Sequence, residues 1–318
     1  MLDHQDHAHP KTLRQHLRLY FTGFAMGAAD IVPGVSGGTM AFVLGIYADL
    51  INAIKSFDVT ALRLALRLRL GELLTHIPLR FLLAVGLGIL TAVFLLSSAL
   101  SYLLETQPTF VFAFFGGLIL ASIVAVGVRI RWSATTVASL AAAAAAAFVI
   151  VGLPALQNAS HDPLTLFVSG AIAICAMILP GISGSFILLI LGQYQHVLSA
   201  VRDRDFLTLA LVAAGAAVGI VVFSRVLSYL LRRHYQVTIA ALTGFMIGSL
   251  RTIWERANAG AASLPQFGAG EIALALALVA LGFVLVSVLD HLQSRANPFI
   301  SLFWRGRQPE AAEALASD

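Results

Sequence analysis

Apolar residues run along this chain in unbroken blocks, not in alternation. Six blocks are long enough to cross a bilayer as helices: 79–104, 110–128, 135–153, 206–231, 237–253 and 272–289. A spanning helix needs about 20 apolar residues. Two further apolar regions, 17–54 and 164–201, are interrupted in the middle by VPGVSGGT (Val32–Thr39) and LPGISGSF (Leu179–Phe186). Proline removes a backbone donor and glycine loosens a helix. Each region is therefore expected to form two half-helices around a turn, with Pro33, Gly34, Pro180 and Gly181 as the break residues. Irregular backbone at membrane depth persists only where it is buried in protein or lines a cavity.

The two interruptions are copies. At an offset of 147, Pro33, Gly34, Ser36 and Gly37 match Pro180, Gly181, Ser183 and Gly184, and the match continues from Leu44, Gly45 and Tyr47 to Leu191, Gly192 and Tyr194. Downstream the offset becomes 127, and Leu100–Leu104 repeats as Leu227–Leu231 letter for letter. The first copy thus carries 20 extra residues, which fall in a basic linker at 55–78. Its Arg63, Arg67 and Arg69 alternate with leucines, and a segment lying on the membrane surface is expected there. The predicted fold is an all-α polytopic membrane protein of two repeats, 17–154 and 164–290. Each is a broken re-entrant helix pair followed by three spanning helices. Polar tails at 1–16 and 291–318 flank them.

Composition agrees. The 318 residues are 59% hydrophobic and 11% charged, with a mean hydropathy of +0.89. Soluble domains carry about 25% charged residues. Continuous apolar runs also argue against an outer-membrane barrel, whose strands alternate. The net charge of +4 would hint at nucleic acid in a soluble chain. Here the basic residues flank apolar blocks and act as orientation signals, so no nucleic-acid partner is expected. One cysteine, Cys175, excludes an internal disulfide, and no metal spacing is present; His4, His7 and His9 read as a solvated tail.

Three spanning helices per repeat is an odd number, so the second repeat is expected to be inverted. With the N-terminus inside, fifteen Lys and Arg fall on the cytoplasmic side. Only Arg202, Arg204, Arg251 and Arg256 fall outside, and Arg225 lies within a span. Both termini are thereby placed in the cytoplasm. The broken pairs would enter from opposite faces and meet near the midplane, which is the pattern of secondary transporters.

Helix N-termini present free N–H groups and the positive end of the helix dipole to anions. Ser36, Gly37, Gly38 and Thr39 open one half-helix, and Ser183, Gly184 and Ser185 open the other. These residues are the candidate substrate site, with Tyr47 and Tyr194 lining it. Arg225 is a candidate to neutralise the anion or to pair with Asp30. Asp30 is a candidate for coupling to a proton or sodium ion, or else a local backbone acceptor. No catalytic residue, metal or cofactor is expected.

GAADIVPGVSGGTMAFVLGIYADLI (Gly27–Ile51) and its echo ILPGISGSFILLILGQY (Ile178–Tyr194) resemble the bacterial polyprenyl-phosphate transporter family. The resemblance extends from about Leu17 to Leu289. It implies a flippase of the cytoplasmic membrane that returns undecaprenyl phosphate from the outer to the cytoplasmic leaflet. It also implies that the two motifs, with Asp30, form the site. A carrier of a small soluble anion would use the same pocket. A polyprenyl-diphosphate phosphatase would need several acids at the breaks, and only Asp30 is there. The sequence leaves the oligomeric state open.

Overall fold

A computed structural model describes residues 10, 12–32, 35–257 and 268–294, without the side chains of 292–294. Pro33, Gly34, His4, His7 and His9 lie outside the described residues, as does the tail beyond Ser294. The described chain is all-helical, with 14 helices and no strand.

Six helices are long and apolar enough to cross a membrane, or up to eight spans if each of two bent pairs counts as one. They are α6 (Leu79–Thr106), α7 (Pro108–Gly127), α8 (Ala134–Val151), α12 (Phe206–Arg233), α13 (Tyr235–Ala257) and α14 (Ala269–Ser294). Each covers its apolar block to within a few residues, because transfer from water sets the length and local caps set the ends. Gln107 both ends α6 and starts α7, at φ −139° and ψ 49°, while His234 ends α12 at φ −132° and ψ 48°. A single residue in almost the same conformation therefore separates each pair of spans, at positions related by the 127-residue offset.

The broken regions contain three helices each, not two. The first has α1 (Leu13–Ile31), α2 (Gly37–Val43) and α3 (Tyr47–Lys55). The second has α9 (Pro163–Ile178), α10 (Gly184–Ile190) and α11 (Tyr194–Asp203). The additional turns sit at Gly45 and Gly192, with φ of +74° and +67°. Only a residue without a Cβ takes that conformation freely. The bends there are 118° and 108°. The basic linker folds as two short helices, α4 (Val59–Leu66) and α5 (Leu70–His76), with Leu62, Leu66, Leu70 and Leu74 exposed.

Packing follows small residues. A Cβ at Gly88 of α6 would run into the Tyr20 carbonyl of α1, and one at Gly215 of α12 into the Phe167 carbonyl of α9. Close backbone approach lets apolar helices gain dispersion contacts without a hydrophobic driving force. Contacts advance in the same direction along both partners: Gly23 meets Val85 and Gly27 meets Ile89, while Gly170 meets Val212 and Gly219 meets Ala171. The α1–α6 and α9–α12 pairs are therefore parallel. In the centre the halves exchange partners, with α8 packed on α13 and α14 on α7. α7 and α13 are the most buried spans and touch each other. This central group of α7, α8, α13 and α14 meets the flanking helices only sparsely.

Candidate functional site

The two breaks meet inside the bundle and are hydrogen-bonded to each other. The Ser36 hydroxyl donates to the Met177 carbonyl at 3.2 Å, and the Tyr47 hydroxyl donates to the Ile178 carbonyl at 3.0 Å. In return the Gly181 N–H donates to the Thr39 hydroxyl at 2.9 Å. The carbonyls of Met177 and Ile178 are freed because α9 stops there, and Leu179 turns into extended backbone. A freed carbonyl in an apolar slab needs a donor. The other break supplies it.

The first break is closed on itself. The Asp30 carboxylate accepts the Gly37 N–H at 2.6 Å, and the Ser36 hydroxyl accepts the Gly38 N–H at 3.1 Å. Asp30 thus acts as an acceptor for the α2 N-terminus, seven residues ahead of its donor. Ser36 and Thr39 are almost completely buried, and Tyr47 is buried with its hydroxyl engaged. The donors of Ser36, Gly37 and Gly38, expected to face a ligand, are taken by protein acceptors.

The second break is different. Met177 stands where the first copy has Asp30, and Ser183 makes no side-chain cap to α10. The Ser183 and Ser185 hydroxyls bond each other at 2.8 Å. Ser183 is half-buried and Ser185 exposed, so both remain accessible, and Gly184 beside them is buried. Gly181 is in the left-handed region at φ +92°, and a Cβ there would press on the Ser249 hydroxyl and the Met246 backbone of α13. This glycine seats the second break against α13.

Arg225 is not drawn to the breaks by any ion pair. It is exposed on α12 beside exposed Val222 and Tyr229, and no described salt bridge joins it to Asp30. Tyr194 is half-buried at the start of α11, unlike its repeat mate Tyr47. Among the described residues no three His, Cys, Asp or Glu side chains gather as a metal site. An apolar cavity of about 320 Å³ opens between α7, α8 and α13 beside Trp132 and Thr243, away from the breaks. The sequence reading missed the carbonyls of Met177 and Ile178 and the contribution of α13. Only the repeat of Ser122 as Ser249 hinted at the latter.

The family model described as undecaprenyl phosphate translocase-like matches residues 26–269. A polyprenyl-phosphate transporter of Vibrio cholerae is 42% identical over 241 residues, covering 75% of this chain and 78% of the relative. A polyprenyl-phosphate transporter of Staphylococcus aureus is 36% identical over 251 residues, covering 73% and 84%. No solved structure matches the chain. The matched region contains both breaks and all of α2 to α13, and the relatives are named as transporters, not enzymes. This multi-pass membrane protein belongs to the undecaprenyl phosphate translocase-like family.

Proposed function

We propose that the chain carries polyprenyl phosphate between the leaflets of the bacterial cytoplasmic membrane, from the outer to the cytoplasmic face, by alternating access. The observation that carries this reading is the pair of cross-bonded breaks inside the bundle, one of which leaves Ser183 and Ser185 open. A phosphate head cannot cross hydrocarbon alone, because an unpaired buried charge is very costly. Hydroxyl donors at an irregular break replace part of its hydration. The isoprenoid tail needs no carrier and stays in lipid.

The two repeats, 17–154 and 164–290, are related by inversion in this reading. Parallel pairing of α1 with α6 and of α9 with α12 supports it, as does the odd number of spans per repeat. Both termini face the cytoplasm on the distribution of basic residues. Alternating access arises as the flanking helices rock on the central four, with Gln107 and His234 as hinges, since few terminal residues absorb such a motion. Asp30 couples the cycle to a proton or sodium ion. Helices α4 and α5 lie on the cytoplasmic surface, with leucines in the acyl region and Arg63, Arg67 and Arg69 toward anionic headgroups.

The test is leaflet exchange. Purified protein is placed in liposomes with polyprenyl phosphate, and accessibility of the lipid to an impermeant phosphate-binding probe is followed. Protein-dependent exchange without free phosphate is expected. Release of phosphate would indicate an enzyme. Uptake of soluble anions with no lipid exchange would indicate a soluble-anion carrier.

A further inference from the structure

Helix α13 presents a polar stripe to the second break. Ser249, Thr252 and Arg256 are spaced i, i+3 and i+7 and so share one helix face. Ser249 lies against Gly181 at the break itself. Arg256 sits about 10 Å further along the axis, at a rise of about 1.5 Å per residue. Its guanidinium carbon lies 5.5 Å from the centre of the Phe186 ring of α10. Phe186 ends the second break motif, so this half-buried arginine lies over the break. Tyr194 lies within electrostatic range of it.

One group on this stripe lacks a hydrogen-bond partner among the described residues, and a second is only partly compensated. Thr252 is 3% exposed, and its hydroxyl makes no hydrogen bond among the described residues. Arg256 is half-buried and forms no salt bridge among the described residues; the Glu255 carboxylate acts on it at longer range but is bonded directly to Arg251 at 2.6 Å. Residues 258–267, which follow in the chain, contain no acid. A buried hydroxyl without a partner and a half-buried cation with no direct counter-ion among the described residues are each costly, and one turn apart they suit an anion.

The repeat mate makes the contrast. At the 127-residue offset Arg256 corresponds to Arg129, and Thr252 to Ala125. Arg129 is neutralised by the buried carboxylate of Asp290 on α14, and Ala125 offers no hydroxyl. The equivalent place in the first repeat is therefore already filled by protein.

We propose that Arg256, with Thr252 behind it, is the binding residue that receives the phosphate monoester of the lipid at the mouth of the second break and hands it toward Ser183 and Ser185. The guanidinium offers two parallel N–H donors to a phosphate, which a lysine cannot reproduce. This proposal rests on the carrier reading. It adds that the two mouths differ in affinity, with the high-affinity one built by α13 and α10.

The experiment measures binding of geranylgeranyl phosphate, and of geranylgeraniol as the uncharged control, to the purified full-length protein. Arg256→Gln is expected to weaken the phosphate about tenfold or more, as loss of a charge-assisted pair implies, and to leave the alcohol unchanged. Arg256→Lys keeps the charge and the fold, and falls between Arg256→Gln and wild type. Thr252→Val gives a smaller loss for the phosphate alone. Arg202→Gln, an exposed arginine on α11, controls for general charge and binds as wild type. Unchanged phosphate affinity in both Arg256 variants, while wild type binds and exchanges the lipid, would overturn this role and leave the carrier reading standing. Failure of wild type to bind or exchange the phosphate would overturn both.

Discussion

The hydroxyl of Thr39 accepts the N–H of Gly181 across 142 positions of sequence, at 2.9 Å, and joins the first break to the second. Both residues are buried. Thr39→Val keeps the shape and strips the acceptor, leaving a buried N–H unpaired at a cost of about 1–3 kcal/mol. Thr39→Ser restores it. Thermal unfolding in detergent is expected to fall for valine and recover for serine. Equal melting of both variants and wild type would mean that the bond contributes nothing.

Gly181 carries a second expectation. Its φ of +92° and its contact with Ser249 and Met246 leave no room for a methyl group. Gly181→Ala forces the break away from α13 and should cost about 1–3 kcal/mol as overpacking, with added backbone strain. Lipid exchange should fall with it. Ser249→Ala in the same background relieves part of the clash, and partial recovery of exchange is the readout.

The observed role of Asp30 as an acceptor and its proposed role in coupling are separable. As an acceptor for the Gly37 N–H it tolerates asparagine, whose carbonyl can accept the same bond, but not alanine. Asp30→Ala should lose about 0.5–2 kcal/mol, the usual effect of a lost N-terminal cap, and Asp30→Asn clearly less. In the proposed coupling role it cannot be replaced by asparagine, which carries no proton or ion. Exchange by Asp30→Asn should therefore stop responding to an imposed ion gradient while the fold persists. A retained response would leave Asp30 a purely structural acceptor.

The N-terminal caps of α9 and α12 predict the acid limb of stability. The Asp162 carboxylate accepts from the Thr165 hydroxyl and N–H, the Ser160 hydroxyl and the Leu164 N–H, and these bonds hold it well below the usual carboxylate range. Asp205 is lowered in the same way by the Thr208 hydroxyl and N–H and by the Leu207 N–H. A carboxyl depressed in the folded state contributes its stability above the unfolded value of about 3.9. That contribution fades as the pH falls through the lowered folded values. Melting temperature should drop between about pH 4 and pH 2. Asp162→Asn with Asp205→Asn should flatten the drop, and an unaltered acid slope would show that these caps do not govern it.

Much of the architecture is legible without coordinates. The six spans follow from apolar length, because the transfer of each residue out of water depends little on its neighbours. The breaks at Val32–Thr39 and Leu179–Phe186 follow from proline and glycine, whose backbone limits are local. The turns at Gly45 and Gly192 were equally visible as repeated glycines, yet each needs a left-handed residue only because the third helix bends back. That bend is a tertiary demand.

Side-chain partnership was not legible. Ser36 and Thr39 look in sequence like open hydroxyls, but the fold engages Ser36 as a donor to the Met177 carbonyl and Thr39 as an acceptor from the Gly181 N–H. Arg225 looks like the buried cation and stands exposed, while Arg256 looks like an orientation anchor and leans over Phe186. Length, hydropathy and backbone limits act within a few residues, so one chain suffices to read the spans, the breaks and the duplication. Which face of a helix meets which neighbour depends on its rotation against segments more than 100 positions away. Only the packed structure decided which hydroxyls are bonded across the breaks and which stay accessible.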